Sequence, residues 1–484
     1  MSRLPEIPPE LLQVICLCLD ALSIVRLSQV SRQFHRLLQD SSALQYNIQL
    51  ELAGLCDGQA VAASAARLEL LKVYQAAWAS FEWTQSNSTR VESEGNLWEL
   101  VGNVLAMYRP ERGFSFTRIP SPIRNVPSAQ WSVPDVPISV KDFSMDLSQD
   151  LLLVVEFDEE KSATVVHLLS LQTGQAHPSA RNPLLARLIQ MNMPGPSSFQ
   201  IRIFGEYIGV MAEDFDDDVE LLIWNWKSAT LKKHMRRADI TSFAFLDSQR
   251  LLIAGLTTDL QPELRVLDIK GHISDMTGYV SFRLPALSRP LQDVTEIDMR
   301  IQTEPAPSWP AGCNMDEPFA VSHTDRLFVV SLRRWEAFQA TEPTFMLCFL
   351  LSTLRDMMER SHDGGENRTV FTWGHWGPHG TRMLRVAQLP DPWVCFVYGQ
   401  RCLLQTDRTR CKILDFNPLS PSPDRMIDER TVDKRRRLFL HPVTTSAPFT
   451  LTSVDIAPSA AVMLAEDAIV AVSTDEDAFT IFSV

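Results

Sequence analysis

The stretch WGHWGPHG at residues 373–380 sets two histidines and two tryptophans among four glycine or proline residues. Such a composition suits a loop that offers aromatic anchors to a ligand, or a tryptophan pair buried at a turn. His375 and His379 bring no further ligands at the fixed spacing that a metal site requires. An acidic run, Glu213, Asp214, Asp216, Asp217, Asp218 and Glu220, has oxygens enough for calcium. It lacks the glycine and the distal glutamate of an EF-hand loop, and fits a solvated hairpin or the rim of a partner-binding face. KRRR at residues 434–437 has the composition of a nuclear import patch, but acids interleave just before it, as in a charged inter-strand loop. His177, followed by Pro178, admits the same two readings, recognition or structure, and such a histidine is more often structural.

No Gly-x-Ser-x-Gly elbow, phosphate loop, Gly-x-Gly-x-x-Gly or His-Glu-x-x-His pair occurs. No catalytic residue, metal ligand or cofactor is therefore assigned, although acids dispersed over several strands would escape such motifs. Eight cysteines are scattered without a Cys-x-x-Cys pair, most of them inside apolar strings where a thiol packs as a small hydrophobe. Across 484 residues the chain is 45% hydrophobic and carries a formal charge of −14. These totals describe a globular chain with a sizeable core and argue against a broad nucleic-acid surface, which needs clustered cations. The apolar runs are too short to cross a bilayer, and Glu6 and Glu10 spoil a signal-peptide reading of LLQVICLCL. A cytosolic or nuclear chain is expected, without membrane or nucleic-acid partners.

What positions these residues falls into a helical head and a β body. Leu11, Leu12, Ile15 and Leu19 keep helical spacing behind prolines suited to a first turn. Ser23 can cap a second helix with Ile24, Leu27 and Val30 inward, and Ser31 a third carrying Phe34, Leu37 and Leu38. Three helices this short cannot close a core alone, so spare apolar surface is expected to meet a partner protein. Leu68, Leu71, Tyr74, Gln75 and Trp78 then line one face of a linking helix, and residues 87–94 turn polar.

Past residue 95 the period changes. DLSQDLLLVVEF with TVVHLLSLQTGQAHP, EYIGVMAE with ELLIWNWKSATL, and four further pairs repeat one grammar of turn, buried strand, polar hairpin and strand. With LWELVGNVLAMY and GFSFTRIPSP the count reaches seven, which predicts a β-propeller of six to seven blades, seven favoured. Paired β-sandwiches are the alternative. A free edge on the last strand would invite aggregation, so ring closure is expected against a strand from residues 95–122.

Residues 7–34 resemble the F-box, matching its pattern at Pro8, Glu10, Leu11, Leu12, Ile15, Leu19, Asp20, Arg26, Leu27, Val30, Ser31 and Arg32. Ile7 stands for the usual leucine and Phe34 for the common tryptophan. LWELVGNVLA, FTRIPSPIR and LLSLQTGQAHP are similar to the C-terminal part of a group of fungal F-box proteins. The resemblance implies an α+β multidomain chain: F-box 1–45, helical linker 46–94 and all-β propeller 95–484. It further implies that Pro8, Leu11, Leu12, Ile15, Leu19, Leu27, Val30 and Phe34 dock on a Skp-type adaptor and through it a cullin. The propeller would then hold an unknown protein substrate for ubiquitin transfer, with no chemistry of its own. A scaffold unrelated to ubiquitin and a dispersed-site propeller hydrolase are the rival readings.

Overall fold

The computed structural model describes residues 7–484 apart from 59, 84–87, 94–96, 135, 189–195, 197, 214–218, 271–278, 289–294, 307–316, 337–338, 362–368, 388–389, 392–393, 420–425, 428–430, 434–437 and 476. The head has four helices where three were expected: α1 (Pro9–Leu17), α2 (Ala21–Val30), α3 (Arg32–Asp40) and α4 (Ser42–Leu52). Pro8 starts α1 by offering its carbonyl to Leu11 and Leu12 N–H at 3.1 Å. Asp20, not Ser23, caps α2: its carboxylate accepts from the Ser23 amide at 2.8 Å and hydroxyl at 2.7 Å. Those two bonds hold the Asp20 carboxyl below its ordinary value. Ser31 caps α3 as expected, accepting from Phe34 N–H at 3.3 Å.

Helix α4 crosses the expected boundary at residue 45. Its apolar residues, Leu44, Tyr46, Ile48 and Leu50, recur every second position, which is the signature of a strand. On a helix, however, a step of two is about 200°, so the four fall on opposite faces. Leu44 and Ile48 close the core of the head, whereas Tyr46 and Leu50 enter the core of the β body.

After a short strand, Leu55–Asp57, helix α5 (Ser64–Ser80) buries Leu68, Leu71, Tyr74 and Trp78 on one face, and Phe81 ends it in a left-handed conformation (φ 55°). Seven blades follow, built on four antiparallel strands each and spanning 97–133, 140–188, 198–236, 240–283, 295–386, 397–455 and 461–483 with 88–92; the fourth gains a fifth strand, Thr369–Phe371, in parallel, and the sixth a fifth, Met426–Ile427, antiparallel. Inner strands of blades 1 to 5 lie side by side in chain order, and those of blades 6 and 7 likewise. That ring replaces the sandwich alternative.

The two middle strands of a blade are covered on both sides by neighbouring blades, whereas inner strands such as Val140–Asp146 alternate between buried and partly exposed residues. In Leu151–Asp158 every residue from 151 to 155 is fully buried, so the run is continuously apolar rather than alternating. The fourth strand faces solvent, and this decides the closure. Residues Ser88–Glu92 pair antiparallel with Ala478–Ser483, from Ser88 opposite Phe482 to Glu92 opposite Ala478. Closure thus comes from before residue 95 rather than from 95–122. An outermost strand needs little apolar surface, and here Ser88, Thr89, Arg90 and Glu92 are exposed with Val91 half-buried. Among the described residues no helix is long and apolar enough to cross a membrane.

Candidate functional site

Of the large hydrophobics exposed among the described residues, seven of fifteen fall between residues 11 and 30: Leu11, Val14, Ile15, Leu17, Leu19, Leu22 and Val30. Val14, Leu17 and Leu22 were not anticipated as contacts, although Val14 lies three residues after Leu11 on α1, the spacing of a shared face. Two anticipated contacts prove to be interior. Leu12 and Phe34 are 1% and 7% exposed and help build the small head. Leu27 is half-buried against that core, whereas Pro8, Leu11, Ile15 and Leu19 are open. Val30, expected to point inward, is 74% exposed, because Ile24 with Ala21 suffices to fill the small space under α2. So the head's own packing takes one stripe of each helix and leaves the other stripe of α1 and α2 bare.

The opposite side of the head is fastened to the propeller. Leu55–Asp57 pairs antiparallel with Phe319–Val321, a strand carried by the long connection inside blade 5. Tyr46 donates its hydroxyl to Pro318 O at 2.5 Å and to Asp57 at 3.0 Å, and Arg67 stacks over its ring at 4.8 Å while pairing with Asp57. Gly54 (φ +68°) turns the chain between α4 and this strand, and a Cβ there would meet Gln400 Oε1 at 2.7 Å. Trp78 packs against Trp83 and Phe81 with the Arg401 guanidinium 4.5 Å above its ring. Beneath lies Arg124, 1% exposed, bound to Glu317, Glu466 and Asp467 at 2.5, 2.9 and 2.6 Å.

Compared with known families, residues 4–49 match the F-box-like model. The chain carries an F-box-like domain followed by a seven-bladed β-propeller. Solved structures that match include a chain of the mitotic checkpoint complex (8% identity, 82% of this chain and 93% of that one, TM-score 0.34). The WD40 domain of SCAP from fission yeast also matches (8%, 80% and 84%, 0.32), as does the WD40 propeller domain of Doa1 (10%, 82% and 96%, 0.31). No curated protein sequence matches significantly.

Elsewhere in the chain the other candidates separate. WGHWGPHG is no loop but a helix, Trp373–Gly380. Gly377 lets the Trp373 ring lie where a Cβ would come within 2.3 Å of it, and the buried Trp376 donates its indole N–H to Arg283 O at 2.9 Å. Small residues there serve tryptophan packing against blades 4 and 5. His375 and His379 are exposed, and among the described residues no group of acids, histidines and cysteines could hold a metal. His177 is buried with its ring on Gln149 O at 2.8 Å and edge-on to Trp226, a structural role. Of the acidic run, Glu220 pairs with His234 and Glu213 with Arg300, while 214–218 and the KRRR patch lie outside the described residues.

Sequence reasoning missed the polar centre of the ring. Glu99 and Glu304 line it with Arg202 and Arg326, in a cavity of about 40 Å³. Burial and then the nearby Asp142 carboxylate push Glu99 up to about 8, and burial raises Asp142 to about 7 against Arg202. Both arginines are spent largely on backbone carbonyls: Arg202 on Ile201 and Ile301, Arg326 on Phe245 and Leu246. The cavity has room for a few waters and not for an organic substrate. The signal was available in principle as charged residues inside apolar inner strands.

Proposed function

We propose that this chain is the substrate-recognition subunit of a Skp, cullin and F-box type ubiquitin ligase, working in the cytoplasm or nucleus. F-box domains in general bind Skp-type adaptors, and propellers bind protein targets. The observation that carries the reading is the bare apolar stripe of Leu11, Val14, Ile15 and Leu22 on a head whose other side is already seated on the propeller. An isolated greasy stripe of this size on a small helical unit is what a partner covers. The receptor then needs no chemistry: holding a target near the ubiquitin-loaded enzyme raises the effective concentration of its lysines. Co-purification tests it. Leu11→Asp with Ile15→Asp should abolish recovery of the Skp-type adaptor, and recovery at the wild-type level would overturn the proposal in favour of a ubiquitin-independent scaffold.

A further inference from the structure

We propose that the buried Arg124 node is a pH-responsive joint, which sets how firmly the F-box-like head is seated on the propeller through a proton carried by Glu466. Arg124 comes from the loop before the outer strand of blade 1, Glu466 and Asp467 from the first turn of blade 7, and Glu317 from the blade 5 connection. Its Nε also donates to Phe319 O at 2.9 Å, within the strand that pairs with Leu55–Asp57 of the head. Glu317 O in turn accepts from Ala60 N–H at 3.1 Å. The guanidinium therefore ties two blades to the platform that carries the head.

Three carboxylates meet one guanidinium there, an excess of negative charge at a largely buried site. Asp467, wholly buried, is pinned by Asn103, which donates to its Oδ2 at 2.9 Å and accepts its amide at 3.0 Å. Its Oδ1 has no partner. Glu466 Oε1 accepts from Val321 N–H at 3.2 Å, so a proton can sit on Oε2 without breaking either of its contacts. The groups facing Glu466 are Arg124, Asp467, Glu317, Tyr74 of α5, Tyr398 of blade 6 and Cys56 of the head strand, with Arg401 behind Tyr74. Only the two arginines among these are cationic. Burial first, then Asp467 and Glu317, raise Glu466 from 4.5 to about 7 against the pull of Arg124. A raised carboxyl means that the folded joint holds a proton that the open joint releases. The contribution of Glu466 is therefore complete below about 4.5, lost as pH rises to about 7, and level beyond.

Amide hydrogen exchange on the full chain between pH 5.5 and 8, corrected for intrinsic rates, reads the joint directly. Protection of Leu55–Asp57 and Phe319–Val321 should fall with rising pH by up to about tenfold per unit and level off above 7, while amides of Leu151–Asp158 stay constant. Glu466→Gln keeps the acceptor for Val321 and should flatten the profile. Asp467→Asn removes a like charge and should move the midpoint down by about one unit. A wild-type profile without pH dependence, or one unchanged in both variants, overturns the joint. Its bearing on target presentation rests on the receptor function proposed above, whereas exchange reads the seat without any adaptor, so the two can fail separately.

Discussion

Two apolar faces of the same small head end differently. Leu44 and Ile48 hold its helices together, yet on one side Tyr46 and Leu50 run into the propeller core, and on the other Leu11, Val14, Ile15 and Leu22 meet solvent. Residue type does not distinguish them. What differs is the company: the sealed side is surrounded by polar fastenings, with Tyr46 on Pro318, Asn417 donating to Leu52 O at 2.7 Å and Arg124 on three carboxylates. Around the open side the polar contacts are helix caps at Asp20 and Ser31 and a single tertiary bond, from the amide of the buried Ala21 to the Glu51 carboxylate at 2.7 Å. A permanent junction specifies its register with buried polar pairs, whereas a surface awaiting a partner keeps its stripe free of them.

The largest effect expected from breaking this contrast is at the sealed side. Arg124→Leu leaves the buried Glu317 and Asp467 and the partly buried Glu466 without their counter-ion, and a loss of about 3–5 kcal/mol is expected by chemical denaturation. Leu71→Ala comes next. Leu71 is fully buried in α5 against the propeller, and a cavity of that kind costs about 2–5 kcal/mol, read as a lowered denaturation midpoint at constant slope. Smaller again is Ser41→Ala. The hydroxyl of this buried residue accepts from Leu44 N–H at 3.4 Å at the start of α4, and losing the cap should cost about 1 kcal/mol, with exchange at the first turn of α4 speeding up before the rest of the head.

How far the junction could be foreseen depended on where its signals lay. The leucine spacing of α1 and the strand pairs of all seven blades were visible because each is a local period set by burial on known faces. Helix α4 was not, since its alternation at 44, 46, 48 and 50 mimics a strand and only the presence of two cores explains it. The closing strand was hidden by its polarity, and the helix Trp373–Gly380 by glycines and a proline that serve ring packing. Arg124 sits in a loop with no periodic context, and its partners lie 193 to 343 residues away. Long-range electrostatics of that sort leave no trace in spacing.

The smallest expected effect on stability is at the open side, and it sharpens the contrast most. Leu11 and Ile15 are about half exposed and take no part in the head's core cluster, so replacing both with aspartate removes little buried area and strands no charge away from water. Stability should stay within about 0.5 kcal/mol of wild type. If the face is instead part of the fold, the same pair would behave like Leu71→Ala and lower the midpoint by several times that amount. A leucine on α1 that can become an aspartate without cost, beside one on α5 that cannot become an alanine, would mean that the head holds its outer surface in reserve for another protein.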